Sequence, residues 1–340
     1  MKVGMLAGVG IVALLAGCGS GGGSNSSIPV VPGAPTPSPS PSPSPTPSPT
    51  PTPSDPNASP TLLTLSENTS LSGFSGDNGF SRNQSGQIFS VQNYTSGAEQ
   101  PVFYDASTHS FTYYLSPVFF PAPVEGSFTF ARDNASSTAT FSQYTGTAGD
   151  TTVRLTQLNI GSSNPTLALQ YCSLAYARAT YQNATTEATG IGIEPMSFGL
   201  QYDWDKQKLH GIAIYRGILL GSARGQGSTH AYDLSGSVEI DLNYDTSDFT
   251  GSIHLTARDD ISGRVIDLGT IPLKASSPRG ALDYFYSATT AGDQMQSTLA
   301  GPTGEEMMGV FDAHLADPQA AGITMKIAAA FVGKRSASPE

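Results

Sequence analysis

The chain has two cysteines, one tryptophan and five histidines in 340 residues, and only 13% of its residues are charged. Two cysteines cannot build a disulfide framework. The histidines, at positions 109, 210, 230, 254 and 314, show no ligand spacing such as His-x-x-x-His, so no Cys/His metal cluster is expected. Basic residues are the scarcer sign: 16 Lys and Arg against 27 Asp and Glu give a net charge of −11. That balance speaks against a nucleic-acid partner and against electrostatic docking on anionic lipid. The Gly-x-Ser-x-Gly and Ser-x-x-Lys patterns of nucleophilic hydrolases are missing. No catalytic residue is assigned, and a non-enzymatic protein without cofactor or metal is expected.

Long hydrophobic runs are scarce too. Val3 to Gly17 follows Met1-Lys2, is apolar, and is too short to span a bilayer. It has the length of a signal-peptide core and ends Leu15-Ala16-Gly17-Cys18. This resembles the lipobox of bacterial lipoproteins, in which the cysteine is acylated and becomes the first residue of the mature chain. The resemblance implies a signal peptide over 1–17, lipidation of Cys18 and a lipid bilayer as partner. A plain secreted protein with a chance cysteine is the alternative. Each buried methylene of an acyl chain contributes about 0.8 kcal/mol, so a multiply acylated Cys18 anchors stably. Gly19 stands where an Asp favours inner-membrane retention in such lipoproteins, which points to the bacterial outer membrane. The membrane face, cell surface or periplasm, stays open.

Proline is concentrated in one place. Residues 29–60 hold 14 of the 25 prolines, mostly as Ser-Pro and Thr-Pro repeats, after a Gly/Ser-rich stretch. Proline removes the backbone donor and fixes φ, so neither helix nor sheet forms there. At about 3.1 Å per residue in polyproline II, the stretch spans on the order of 90 Å. Residues 18–60 are therefore expected to be a disordered stalk.

Beyond Pro60 the apolar residues recur with period two. Leu234, Val238, Ile240, Leu242 and Tyr244 share one face; Ser235, Ser237, Glu239, Asp241 and Asn243 share the other. Phe111, Tyr113 and Leu115 alternate likewise, as do Ile253, Leu255 and Ala257. Gly, Asn, Asp and Ser between such runs are what antiparallel turns require. Residues 323–331 read as a strand rather than a helix, from the alternation of Ile323, Met325 and Ile327. Composition shifts near residue 160, which suggests one β domain over 61–160 and another over 161–340. The second is long enough for eight strands, and a closed eight-stranded barrel leaves no edges.

Several segments of this second part resemble the barrel domain of the transferrin-binding protein B family. They are Gly301-Pro302-Thr303-Gly304-Glu305-Glu306-Met307-Met308-Gly309-Val310-Phe311, the final Ala330-Phe331-Val332-Gly333-Lys334-Arg335, and the span from Tyr232-Asp233-Leu234-Ser235-Gly236 to Phe249-Thr250-Gly251-Ser252. Pro165 to Tyr176 is similar to the family's first barrel strand. Leu299-Ala300 and Met308 depart from the pattern. The resemblance implies an all-β chain: a β handle or sandwich over 61–160 followed by an eight-stranded antiparallel β-barrel. It also implies a protein or iron/haem-containing ligand and a possible TonB-dependent outer-membrane receptor as partner. Matched glycines and core positions speak for a fold and hardly at all for a ligand.

Other constellations are weak. Asp241-Leu-Asn243-Tyr-Asp245 begins like a calcium loop, but Thr246 and Ser252 stand where Gly and Glu are needed. Asp203 with Asp205, Asp259-Asp260 and Glu305-Glu306 read as solvated turn charges, since neighbours along a strand point to opposite faces. Haem ligation by one of the histidines stays open as an alternative. Cys172 reads as core of the first barrel strand, with a reactive or intermolecular thiol as the alternative. Tyr202-Asp203-Trp204-Asp205-Lys206 reads as a hairpin that sets aromatics beside charges, and exposed aromatics often carry binding energy. Tyr202, Asp203 and Trp204 are the candidate ligand-binding residues; the other reading packs Trp204 under its own loop.

The expected function is a monomeric, outer-membrane-anchored binding lipoprotein whose barrel-end loops capture their ligand. A structural or interaction lipoprotein of the envelope is the alternative. An integral outer-membrane barrel shows the same alternation, but needs neither anchor nor stalk and carries two aromatic girdles.

Overall fold

The computed structural model describes residues 59–336, apart from 116–130, 134–135, 149–150, 183–187, 207, 247, 276–284 and 288–292. The expected signal peptide, Cys18 and almost all of the Pro-rich stalk lie outside the described residues. The described residues form sixteen strands and no helix. β1 (Thr69–Arg82), β2 (Ile88–Asp105), β3 (Ser110–Tyr113), β4 (Ala131–Asp133), β5 (Phe141–Ala148), β6 (Thr151–Leu158), β7 (Cys172–Gln182) and β8 (Thr189–Gly199) make one antiparallel sheet, in the order β3-β2-β1-β8-β7-β6-β5-β4. β9 (Ile212–Arg224), β10 (Ala231–Asn243), β11 (Asp248–Asp259), β12 (Val265–Ala275), β13 (Phe285–Ser287), β14 (Gln294–Ala300), β15 (Glu306–Ala316) and β16 (Thr324–Arg335) make a second, in the order β12-β11-β10-β9-β16-β15-β14-β13. The second sheet curls so that its edge strands β12 and β13 touch. The chain is thus all-β, a handle sheet followed by an eight-stranded antiparallel barrel.

The alternation seen in the sequence is what places these strands. In β10 and β11, Leu234, Val238, Ile240, Leu242, Ile253, Leu255 and Ala257 are buried, while Ser235, Ser237 and Glu239 face solvent. Residues 323–331 are strand, within β16. The turn from β14 to β15 is Gly301-Pro302-Thr303-Gly304-Glu305, in which Gly301 has φ of 88° and Gly304 of 64°. A Cβ at Gly301 would come within 2.6 Å of the Tyr171 ring, so this turn needs glycine twice over.

The chain passes from the first sheet to the second between Gly199 and Ile212, later than the composition change near residue 160. β7, which begins within the segment resembling a first barrel strand, and β8 belong to the handle sheet. The physical reason is burial on both faces. Ala175, Ala177, Ala179, Met196 and Phe198 pack into the handle core. On the other face Cys172 and Leu174 pack with Met308, Val310, Ala330 and Val332 of the barrel. Strands covered on both sides lose the alternation that marks a half-buried strand.

Two polar joints tie the sheets together besides that apolar seam. At one end Glu306, 1% exposed, accepts hydrogen bonds from the backbone N–H groups of Gln170 (2.7 Å), Tyr171 (2.8 Å) and Cys172 (2.9 Å). Burial raises its carboxyl above the usual carboxylate range, against the pull of those three donors. At the other end Arg82 on β1 donates to Asp260 at 2.9 and 3.1 Å, and Arg178 on β7 donates to Asp233 at 2.9 and 3.2 Å. Arg224 on β9 completes this joint. It is fully buried, its guanidinium lies 4.2 Å over the Phe80 ring, and its three nitrogens have no hydrogen-bond partner among the described residues.

Candidate functional site: the two ends of the barrel

The barrel interior is filled by its own side chains, among them Leu219, Leu234, Val238, Ile253, Phe311 and Phe331. This is the state in which an eight-stranded barrel holds little besides protein. What distinguishes the two ends is how each is closed.

At the end where β9 begins, residues 200–206 and 208–211 fold across the mouth. Tyr202 N–H donates to Leu299 C=O at 2.9 Å and Gln201 bridges to Ala300, which pins the segment to β14. Tyr202 is 2% exposed and meets Trp204 edge-on, with ring centroids 4.9 Å apart at 88°. Trp204 and Leu209 pack against the barrel core. Beneath them the Tyr215 hydroxyl donates to Gly304 C=O at 2.6 Å and lies 2.6 Å from the Tyr244 hydroxyl. Burial holds the Tyr215 hydroxyl far above the ordinary phenol range. The aromatics of the sequence-predicted trio therefore point inward, and Asp203 points out. Asp203 pairs with Lys206 at 3.0 Å, which together with the N–H of Asp205 keeps its carboxyl low.

An inward Trp204 makes a direct prediction. Trp204→Ala should destabilise the fold by about 2–3 kcal/mol, below the roughly 3–5 of a fully buried aromatic because Trp204 is only half-buried. Urea unfolding followed by far-ultraviolet circular dichroism checks it. An unchanged midpoint would show that Trp204 is no plug.

The opposite mouth is closed by polar groups. Tyr232 donates to Asp317 at 2.7 Å, and Ser228 donates to the other oxygen of Asp317 at 2.7 Å. Gln319 donates to Asp259 at 2.7 Å, and His230 Nδ1 lies 2.5 Å from Asp259. Asp259 also accepts the N–H groups of Ile261 and Ser262, at 2.8 and 2.9 Å. Burial pushes its carboxyl up, but these donors outweigh burial and hold it at about 2. It is ionised throughout the neutral range.

Three expectations need correction here. Asp259, Asp260 and Glu306 are not solvated turn charges: their side chains are buried, and each is held by donors from distant parts of the chain. A carboxylate is stable inside a protein only with such donors, and those sit up to 178 residues away in sequence. Ser228, Asp317 and Gln319 were not legible as a group, since turn residues carry no periodic signal. Asp203 is solvent-facing, as a turn charge should be. Cys172 is fully buried with its thiol 3.7 Å from Met307 C=O, and burial raises its thiol pKa.

Among the described residues no three His, Cys, Asp or Glu side chains are grouped to hold a metal ion. Instead His210, His230, His254 and His314 each lie beside an Asp, at 2.9, 2.5, 3.5 and 3.0 Å. A depression of about 600 Å³, lined by Asn83, Gln84, Ser85, Phe89 and Ala188, lies at the β1–β2 hairpin, outside the barrel.

A handle sheet joined to a curled barrel sheet with a filled interior is the class that this geometry defines. No family model matches the chain, and no curated protein matches it. Solved structures do. A double mutant of transferrin-binding protein B from Haemophilus parasuis Hp5 is 12% identical, with a TM-score of 0.38 over 76% of this chain and 45% of that one. A single mutant of the same protein is 11% identical, with a TM-score of 0.37 over 77% and 45%. Intact Ap-TbpB, with N and C lobes, is 10% identical, with a TM-score of 0.34 over 76% and 46%. The chain spans less than half the length of these structures. At such identities the likeness concerns fold and says nothing of a ligand.

Proposed function

We propose that this protein is an outer-membrane-anchored lipoprotein and a non-enzymatic binding module. Cys18 fixes it to the bilayer, the Pro-rich stalk carries the body outward, and the outer surface of the barrel captures a protein or an iron- or haem-carrying ligand. The observation that carries this reading is the filled barrel. A body whose interior is filled by its own side chains, with Tyr202 and Trp204 folded over one end and Asp317 and Gln319 hydrogen-bonded at the other, meets its ligand from outside. Turns on such a scaffold are where binding residues concentrate. Of the trio at 202–204, Asp203 and the open edge of Trp204 are within a partner's reach.

Two readouts on cells test this. Cys18→Ser should move the protein from the carbonate-washed membrane fraction to the soluble fraction; unchanged retention contradicts the anchor. Intact cells producing the full chain, treated with a lysine-reactive crosslinker, should yield a discrete adduct of higher mass. The exposed Lys206, Lys208 and Lys326 supply the reactive amines. Failure to form any adduct contradicts the binding role.

A further inference from the structure

We propose that the β11–β12 hairpin tip, Arg258 to Val265, is a docking surface for an acidic polypeptide. This rests on reading the chain as a binding module and names the surface that does the binding.

The tip consists of what its two acids leave behind. The Asp259 side chain turns inward and binds His230, Gln319 and the turn's own N–H groups. Asp260 turns inward to Arg82 and Arg178. The outward side is left with Arg258, Ile261, Ser262, Gly263, Arg264 and Val265, all exposed. Ile261 and Val265 are each 63% exposed. Turn positions normally carry Gly, Asn, Asp or Ser, so the β-branched Ile261 in the turn stands out, with Val265 beside it at the start of β12. Neither Arg258 nor Arg264 makes an ion pair among the described residues.

Charge decides the partner. On a chain with a net charge of −11, this tip presents two free guanidinium groups and no free carboxylate. Guanidinium groups flanking an apolar contact fit carboxylates flanking an apolar contact, and arginine is enriched in protein interfaces. The backbone is already fixed, by Gly263 N–H to Asp259 C=O and Asp259 N–H to Arg264 C=O, both 2.9 Å. Little ordering entropy is therefore lost on binding.

The probe is a fluorescent random copolymer of glutamate and tyrosine, titrated into the full-length protein in neutral detergent. Polyglutamate and phosphatidylglycerol vesicles are run beside it. The copolymer should bind saturably, more tightly than polyglutamate, and more weakly as salt rises. Arg258→Glu with Arg264→Glu should weaken it at least tenfold. Ile261→Ser with Val265→Ser should weaken it about tenfold, within the usual range for interface truncation. Both double variants should melt at the wild-type temperature, since all four side chains are exposed. The proposal is overturned if the copolymer does not bind, if the charge-reversed variant binds as well as wild type, or if the vesicles bind more tightly than the copolymer. If the cell-surface adduct forms while the copolymer stays unbound, the tip is wrong and the binding role stands.

Discussion

Glu306→Ala should destabilise the protein by about 2–4 kcal/mol. The carboxylate accepts three backbone N–H groups at 2.7–2.9 Å. An orphaned buried donor costs about 1–3 kcal/mol, and the least exposed of the three, that of the fully buried Cys172, should suffer most. Water can reach Gln170, which is why the total stays below three full penalties. The neighbouring Glu305, whose side chain accepts the single N–H of Thr303 among the described residues, is the control: Glu305→Ala should cost less than about 1 kcal/mol. Hydrogen exchange should quicken first at the amides of Gln170, Tyr171 and Cys172. If both alanine variants lose equally, Glu306 does not join the sheets.

Arg224→Met should have the opposite sign, stabilising the fold by about 1–3 kcal/mol. Three arginines, 82, 178 and 224, face two aspartates, 233 and 260, and of the three only Arg224 has no hydrogen-bonded partner among the described residues. Burial lowers its guanidinium to about 9, so it is still a cation at neutral pH. Desolvating one ion costs several kcal/mol. The compensation is its contact with Phe80, worth about 2 kcal/mol at most for a desolvated cation–π pair, and the field of the two aspartates. Methionine keeps the volume and a sulfur–ring contact with Phe80 worth about 0.3–1.5 kcal/mol, and it leaves a balanced pair of arginines against a pair of aspartates. Arg224→Ala, which opens a cavity instead, should destabilise. Thermal unfolding of the two variants separates the effects. A methionine variant less stable than wild type would mean that the aspartates hold Arg224 more strongly than burial opposes it.

How far the sequence could be read follows from where each strand lies. β10 and β11 have one face inward and one in water, so every second residue announced its side. β8 is buried along ten of its eleven residues and announced nothing; its place in the handle sheet comes from pairing with β1 and β7. The composition change near 160 therefore marks no sheet boundary. At the candidate site, Tyr202 and Trp204 stood out because an aromatic beside charges is the composition that interface anchors favour. Spacing alone could not show that residues 200–206 and 208–211 would cross a barrel mouth and turn those rings inward. Asp259 and Asp260 were legible as a turn, but the donors that draw them inward, on β1, β7 and the turns before β10 and after β15, were invisible to any local pattern.

Trp204 is the single tryptophan, so its fluorescence reports on one mouth of the barrel. The measurement that tests the closed, externally binding barrel most directly is a titration of the full-length protein with haem and with a long-chain fatty acid, following that emission. A filled and plugged barrel predicts emission typical of a partly buried indole and no saturable quenching or spectral shift by either ligand. Saturable one-to-one quenching, abolished when Leu234 or Phe311 is replaced by a larger side chain, would place a ligand inside the barrel and contradict the account.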